Sequence, residues 1–341
     1  MLVGPREARA GIVWPDGCGS AWEGRDRLRG ATPGRWRSPR ARGGRMGYDE
    51  TAGRDAGEER PTMTDRVPIF VELCAGTAAL SLRLEHPRAR PPVSRMGAKT
   101  GYADVILRCM GLRPGQGADR YLWCEPDAGV RLLLHAYRDR ELATAAADII
   151  RGWQDEDPRA LWERLRAEGP AVCPPVDARE VARWAAIQAN TQKSGGFDAM
   201  TVGGPSNRRP MRMEDLASRN AWSITLPATI ADDARAIDPP QLPPGVVVYI
   251  DPPYLGTTGY AHTFPREEWV PVVQRWQEAG ALVVVSEAEP IPELMADGWH
   301  AVRIDGERKG QKRTFSKQQA EWLTMSEAPR WRPSVQMGLW R

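Results

Sequence analysis

The sequence predicts an α/β protein built on a doubly wound, mostly parallel β-sheet. Short apolar runs such as "VPIFVEL" (67–73) and "VVVYI" (246–250) are typical of strands that are buried on both faces. Helical patterns follow the apolar runs, as in "AGVRLLLHAY" (128–137). Because strands and helices alternate along the chain, and no internal repeat is apparent, the pattern favours a parallel sheet with helices on both sides.

The expected elements fall into two regular stretches. The first stretch holds strands at 67–73 and 121–125 and helices at 78–85, 101–110, 128–137, 141–153, 158–167 and 178–190. Between residues 191 and 245 the composition turns to Gly, Pro, Arg, Asn and Ser, with little periodicity. The second stretch holds strands at 246–250, 281–286, about 299–304 and 319–325, a helix at 266–279 and a short helix after residue 286.

These stretches predict a core interrupted by an insert. Residues 63–150 form the first half of the core, 151–244 the inserted region, 245–327 the second half, and 328–341 a C-terminal tail. Residues 1–62 are rich in Arg and Gly and lack periodicity, which is typical of a disordered tail. Two alternatives for this segment are a translation start at Met63 and an arm that binds nucleic acid.

Composition limits the class of protein. The net charge is +3, which only weakly suggests an anionic partner. No apolar run approaches the roughly 20 residues that a membrane span requires, so no membrane partner is expected. The five cysteines are widely spaced without a CxxC pair, and the four histidines are isolated. We therefore expect neither a disulfide scaffold nor a metal site, and a cytoplasmic location.

The first strand leads into the turn "CAGTAA", which is a candidate cofactor site. Ligands of open α/β sheets bind at the carboxyl ends of strands, and Ala75 and Gly76 would let a ligand approach the backbone. An ordinary tight turn explains the same residues equally well. The second strand ends in "CEPD", where Glu125 could accept hydrogen bonds from a ribose. Asp127 is the second candidate, or it caps the next helix.

The stretch "VVVYIDPPY" ends a buried strand in an acid, two prolines and a tyrosine. Pro252 and Pro253 fix their φ angles and donate no N–H, so the loop is rigid and its carbonyls can accept hydrogen bonds. The Asp251 carboxylate and the Pro252 carbonyl together suit an exocyclic amino group, and Tyr254 offers a face for stacking a base. We therefore expect Tyr254→Ala to weaken activity through lost stacking and Tyr254→Phe to be tolerated. A proline-rich turn with a capping Asp is the alternative.

These motifs resemble those of a known enzyme family. "DPPY" after an apolar strand resembles the catalytic motif of amino-group DNA methyltransferases, and "FVELCAG" resembles the cofactor-binding motif F-V-E-P-F-x-G-S-G of the DNA adenine methylase family. Leu73 and Cys74 replace Pro and Phe of that motif, and Ala78 replaces its second Gly. "RMGAKTGYAD" (95–104) is similar to the family's G-G-K segment, although it follows the first turn instead of opening the chain.

The resemblance implies a Rossmann-like, S-adenosylmethionine-dependent methyltransferase fold with an inserted recognition region. It implies S-adenosyl-L-methionine as cofactor, N6 of adenine as acceptor, and double-stranded DNA with a flipped target base as partner, in a standalone or phage-encoded enzyme. The implied catalytic residues are Asp251, Pro252, Pro253 and Tyr254. The implied cofactor-binding residues are Phe70, Glu72, Ala75, Gly76, Lys99, Glu125 and Asp251.

Three alternatives remain open: a cytosine-N4 DNA methyltransferase, an RNA base methyltransferase, and a non-catalytic nucleic-acid-binding protein on the same scaffold. For DNA contacts the candidates are Lys193, Asn207, Arg208, Arg209 and Arg212 in the inserted region. Arginines there could contact phosphates, and Asn or Arg could read base edges. The hypothesis requires that Asp251 lie at the pocket of the first turn, with its carboxylate not held in an internal ion pair.

Overall fold

A computed structural model of the chain describes residues 66–93, 97–169, 174–191, 212–239, 242–254, 262–304 and 320–333. The expectations for residues 1–62 and for most of the C-terminal tail lie outside this part of the chain.

Seven strands and nine α-helices lie within the described residues. The strands are β1 (Val67–Leu73), β2 (Ala118–Cys124), β3 (Ala228–Ala231), β4 (Val247–Ile250), β5 (Leu282–Glu287), β6 (His300–Arg303) and β7 (Trp322–Met325). The first four helices are α1 (Ala79–Glu85), α2 (Ala103–Cys109), α3 (Ala128–Arg138) and α4 (Arg140–Gly152). The others are α5 (Pro158–Ala167), α6 (Ala178–Asn190), α7 (Met213–Ala217), α8 (Arg266–Glu278) and α9 (Pro292–Ala296).

The strands form one mostly parallel sheet in the order β3-β2-β1-β4-β5-β7-β6. Neighbouring strands from β3 to β5 are parallel, whereas β7 is antiparallel to both β5 and β6. The order reverses between β1 and β4, which makes their carboxyl ends the topological switch point where open α/β sheets bind ligands. The predicted α/β class with a mostly parallel sheet is confirmed, and the arrangement is compatible with a Rossmann-like fold.

The sheet is buried on both faces, as its continuous apolar strands predict. Alternate residues of β1 enter two different clusters: Phe70 packs with the helices α1 to α7, whereas Val71 and Leu73 pack against α8 and α9. In β4, Tyr249 faces the first cluster and Val248 the second. Both clusters therefore hold the ends of β1 and β4 in fixed positions.

The inserted region differs from its expected boundaries. Helices α4 to α6 share the cluster that covers one face of the sheet, so they belong to the main core. Strand β3 lies within the predicted 151–244 insert and pairs with β2 through Tyr121↔Ala228 and Cys124↔Ala231. A segment outside the sheet must therefore end before residue 228. Strand β3 has only a weak signal in the sequence because its four residues "ATIA" carry only one large apolar side chain.

The helices are of ordinary globular length. The longest, α4, α6 and α8, have 13 residues each, whereas a membrane span takes about 20 apolar residues. In the part of the chain that the structure describes, no helix combines the length and apolar character needed to cross a membrane.

Candidate functional site

The carboxyl ends of four adjacent strands lie level with one another. Leu73 at the end of β1 is in register with Cys124 of β2 and Ile250 of β4, and Cys124 is in register with Ala231 of β3. The residues that follow form a row across the sheet edge: Asp232, Glu125, Cys74 and Asp251. With neighbouring strands about 4.8 Å apart, the backbones of Glu125 and Asp251 are about 10 Å apart, on opposite sides of the first turn.

A pocket of about 400 Å³ opens at this edge. Its volume lies within the range of roughly 300–1,000 Å³ found for small-molecule and cofactor sites. Of the residues predicted for the site, the following line it: Glu72, Ala75, Gly76, Lys99, Glu125, Asp251 and Pro253. The fold therefore collects around one cavity seven residues that the sequence distributes over four separate motifs.

The first turn has an unusual backbone. Cys74 has φ 59° and Ala78 has φ 49°, although left-handed conformations are costly for residues with a Cβ. Such outliers often occur at functional sites, where the surrounding structure maintains them. Gly76 also has a positive φ, of 53°, and a Cβ added there would meet no atom within 4 Å. The glycine therefore leaves open space in the wall of the pocket.

Glu125 holds the first turn in place. Its Oε2 accepts a hydrogen bond from the Gly76 N–H at 2.8 Å, and its Oε1 accepts one from the Asp127 N–H at 3.0 Å. Ala75 is held too, because its N–H donates to the Cys124 carbonyl at 2.8 Å. Asp127 caps α3 by accepting from the N–H groups of Gly129 and Val130. Of the two acids in "CEPD", Glu125 lines the pocket and Asp127 has the capping role.

Glu72 and Phe70 have different surroundings. Phe70 is fully buried in the core and does not line the pocket. The structure therefore gives it a packing role and not the predicted contact with a cofactor. Glu72 is 2% exposed, and its Oε1 accepts from the Ser81 N–H at 2.7 Å and from Ser81 Oγ at 2.5 Å. Burial raises the pKa of Glu72 to about 7, although the hydrogen bonds from Ser81 lower it and Asp251 raises it further. This carboxyl therefore titrates near neutral pH.

Asp251 lies at the pocket but is engaged in an ion pair. Lys99 Nζ is 2.5 Å from Asp251 Oδ1, and the side chains are 7% and 17% exposed respectively. Burial raises the pKa of Asp251 to about 6, against the lowering effect of Lys99. Asp251 therefore lies at the pocket, as the sequence hypothesis requires. Its carboxylate is held in an internal ion pair, however, which does not meet the second requirement of that hypothesis.

The rest of the DPPY corner is more buried than its sequence suggests. Pro253 lines the pocket, whereas Pro252 and Tyr254 are buried and do not. The Tyr254 hydroxyl donates to Glu321 Oε1, and the Lys99 ammonium lies 4.7 Å from the centre of the Tyr254 ring. The tyrosine is therefore not an exposed stacking platform in this structure, and a polar partner for its hydroxyl argues against a tolerated Tyr254→Phe.

Several lining residues were missed by the sequence interpretation. Asp232 and Asp233 follow β3 and line the pocket beside Glu125, and Phe264 supplies an apolar wall. Asp233 also accepts from the Arg235 N–H, and hydrogen bonds from Arg235 hold the pKa of Asp233 below its usual value. The two acids directly follow "ATIA", but a run with only one large apolar side chain is too weak a strand signal to identify them.

Most of the predicted DNA contacts lie outside the described residues. This holds for Lys193, Asn207, Arg208 and Arg209. Arg212 precedes α7, is exposed, and lies 3.4 Å from Glu214 in a surface ion pair. Such pairs are weak, so Arg212 can exchange this partner for a phosphate at little cost.

Within the described residues, no group of three or more His, Cys, Asp or Glu side chains is arranged to hold a metal ion. The pocket instead combines carboxylates, backbone groups and one buried lysine. In comparisons with known proteins, the sequence matches no protein-family model and no curated protein.

Proposed function

We propose that the chain is a methyltransferase that uses S-adenosyl-L-methionine and modifies the N6 amino group of adenine in double-stranded DNA. The main support is the meeting of Gly76, Glu125 and Asp251 around one pocket at the switch point of the sheet. Gly76 and Asp251 come from the two motifs on which the family resemblance depends, and Glu125 follows β2, which lies on the other side of β1 from β4. If the motifs served separate functions, their residues would not need to line the same pocket.

The pocket walls suit the cofactor. The open space beside Gly76 allows close approach to the backbone. Glu125 already accepts two backbone N–H groups, but an ionised carboxylate has about four acceptor positions and can also bind ribose hydroxyls. Phe264 offers an apolar surface for an aromatic ring. When bound, S-adenosyl-L-methionine supplies an electrophilic methyl group.

Asp251 is the residue we expect to act on the base. The amino group of adenine is a weak nucleophile because its lone pair is delocalised into the ring. A carboxylate that accepts a hydrogen bond from this group stabilises the positive charge that develops on nitrogen during transfer. The rigid backbone of Pro252 and Pro253 fixes the carboxylate for this purpose. The rest of the rate acceleration comes from holding the two reactants close together and in line. The base must first leave the duplex, which costs a few kcal/mol.

The Lys99–Asp251 ion pair favours a second candidate function, a non-catalytic nucleic-acid-binding protein on the same scaffold. In that protein the carboxylate would serve only to neutralise the buried lysine. The two candidates differ in turnover. A binding protein transfers no methyl group, however tightly it binds cofactor or DNA.

The test is mass spectrometry of nucleosides from DNA and from RNA incubated with the chain and methyl-labelled S-adenosyl-L-methionine. We expect N6-methyladenine in DNA only. N4-methylcytosine, or a methylated base in RNA, would support one of the related enzymes instead. No transfer to either nucleic acid would contradict the enzyme and leave the binding protein.

Asp251→Ala should abolish transfer and leave cofactor affinity, measured by calorimetry, within about threefold, because the cofactor contacts lie mainly on the first turn and Glu125. The chain offers a matched control in Asp238, which also precedes two prolines but is exposed and follows no strand. Asp238→Ala should retain the activity of the unaltered protein. Turnover by Asp251→Ala would rule out the assigned role.

A further inference from the structure

Lys99 lies between two carboxylates that come from different strands. Its Nζ is 2.5 Å from Oδ1 of Asp251, which follows β4, and 3.7 Å from Oε1 of Glu321, which precedes β7. Glu321 is 1% exposed and Lys99 is 7% exposed. A buried lysine without a carboxylate partner is strongly destabilising, so at least one of these two contacts must persist in every state of the site.

The closer of the two contacts conflicts with the role proposed for Asp251. Lys99 donates to Oδ1 of Asp251, so Oδ2 could still accept from the amino group of a base and the conflict is one of charge. An ammonium at this position would repel the positive charge that develops on the amino nitrogen during methyl transfer. Lys99 must therefore move away from Asp251 before transfer.

Glu321 is placed to receive the lysine. A shift of about 1 Å would bring Nζ from 3.7 Å to the distance of about 2.8 Å that is typical of an ammonium–carboxylate hydrogen bond. We propose that Glu321 is a positioning residue that takes over Lys99 when the amino group of the base binds to Asp251. This inference depends on the proposed function and adds a residue that none of the sequence motifs identified.

Tyr254 fixes the position of Glu321. Its hydroxyl donates to Glu321 Oε1, the same oxygen that lies nearest Lys99. Burial, followed by the charges of Asp251 and Glu321, raises the pKa of Tyr254 well above its ordinary value, so the hydroxyl remains a donor. The tyrosine of the DPPY motif therefore contributes its hydroxyl as well as its ring, and Tyr254→Phe should impair the transfer of Lys99 to Glu321.

The test compares Glu321→Gln, Lys99→Met and the double variant. Glu321→Gln keeps an acceptor for Tyr254 but removes the charge that attracts Lys99. We expect kcat to fall about tenfold or more, with KM for S-adenosyl-L-methionine changed less than about threefold. In the Lys99→Met background, replacement of Glu321 should lower kcat by less than about threefold, because the residue acts through the lysine. If the reduction of kcat in the double variant equals the product of the reductions in the two single variants, the inference is overturned.

A second measurement does not depend on activity. Among the charged neighbours of Asp251, Lys99 lowers its pKa, whereas Glu321 and Glu287 raise it. Glu72 is a further acid at the pocket, and its own pKa is raised by Asp251. In Glu321→Gln, Asp251 loses one negative neighbour and keeps its ion pair with Lys99. The midpoint of the carboxyl-carbon NMR titration of Asp251 should therefore lie at lower pH in this variant than in the unaltered protein, and a shift smaller than about 0.3 unit would overturn the inference.

The matched control is Glu85→Gln. Glu85 also accepts a tyrosine hydroxyl, that of Tyr121 at 2.7 Å, and pairs with a cation, Arg66 at 3.1 Å, but it does not line the pocket. This variant should show a comparable change in thermal stability and full activity. Tyr254→Phe serves as a second variant if Glu321→Gln unfolds, with the same expected loss in kcat. If the unaltered protein transfers methyl groups and Glu321→Gln has the same kcat, this inference alone is overturned. If the unaltered protein transfers no methyl group, the proposed function is overturned as well.

Discussion

Glu72→Gln should stabilise the protein at alkaline pH and have little effect in acid. The pKa of Glu72 is raised from 4.5 to about 7, mainly by burial. A carboxyl whose pKa is raised on folding binds its proton more tightly in the folded state. Its favourable contribution is complete below the unfolded pKa of 4.5 and is lost as the pH rises through about 7. Above that pH the protein has to hold an ionised carboxylate in its core.

The magnitude follows from the size of the shift. At about 1.4 kcal/mol for each pKa unit, the cost of ionised Glu72 is roughly 3 kcal/mol at pH 8 and under about 1 kcal/mol at pH 5. Glutamine keeps the oxygen that accepts from the Ser81 N–H and hydroxyl, but it cannot ionise. Glu72→Gln should therefore raise the free energy of unfolding at pH 8 by an amount of up to about 3 kcal/mol, and far less at pH 5.

The assay is urea denaturation of both proteins at the two pH values, with the exposed Glu278 at the end of α8 as control. Glu278→Gln should change the free energy of unfolding by less than about 0.5 kcal/mol at either pH. A difference between Glu72→Gln and the unaltered protein that is the same at pH 5 and pH 8 would refute the argument, because a purely steric effect does not depend on protonation.

Two further predictions concern the pocket that we propose binds the cofactor. Gly76→Ala should cost about 1–2 kcal/mol of stability because of its φ of 53° and should also weaken S-adenosyl-L-methionine binding in calorimetry, whereas Gly280→Ala, with φ 95° and equally open surroundings away from the pocket, should affect stability alone. Equal affinities in the two variants would contradict this. The preference for S-adenosyl-L-methionine, which carries a sulfonium, over its demethylated product, whose sulfur is uncharged, should increase between pH 5 and pH 8, since Glu72 and Asp251 ionise near pH 7 and pH 6. A pH-independent ratio in competition binding would contradict an electrostatic effect of these acids on the sulfonium.

The regular elements could be predicted because their signals are local. The apolar run "VPIFVEL" coincides with β1 from Val67 to Leu73, and the pattern at 178–190 coincides with α6. Aspartates cap four successive helices through their side chains, at Asp127, Asp139, Asp157 and Asp177, so the starts of these helices are also encoded locally. The same locality explains why Glu125 and Gly76 were assigned to strand ends correctly.

The interior of the site could not be predicted because its contacts are non-local. Lys99 and Asp251 were both expected near the pocket, but their ion pair joins residues 152 positions apart. The bond from Tyr254 to Glu321 spans 67 positions and depends on the place of β7 beside β5. Side chains that meet only through the strand order leave no periodic or spacing signal in the sequence.

The charge balance of the pocket connects the ion pair with the proposed cofactor. Among the described lining residues, the acids outnumber the permanently charged bases: Glu72, Glu125, Asp232, Asp233 and Asp251 against Lys99 and Arg235. Arg235 is committed to Asp233 and Glu268, so Lys99 is the main cation available to Asp251. Burial is the main cause that raises the pKa values of Glu72 and Asp251, and the charges of neighbouring acids raise them further. A ligand with a positively charged sulfonium would offset this excess of negative charge, and Lys99 could then leave Asp251 for Glu321 without leaving either carboxylate uncompensated.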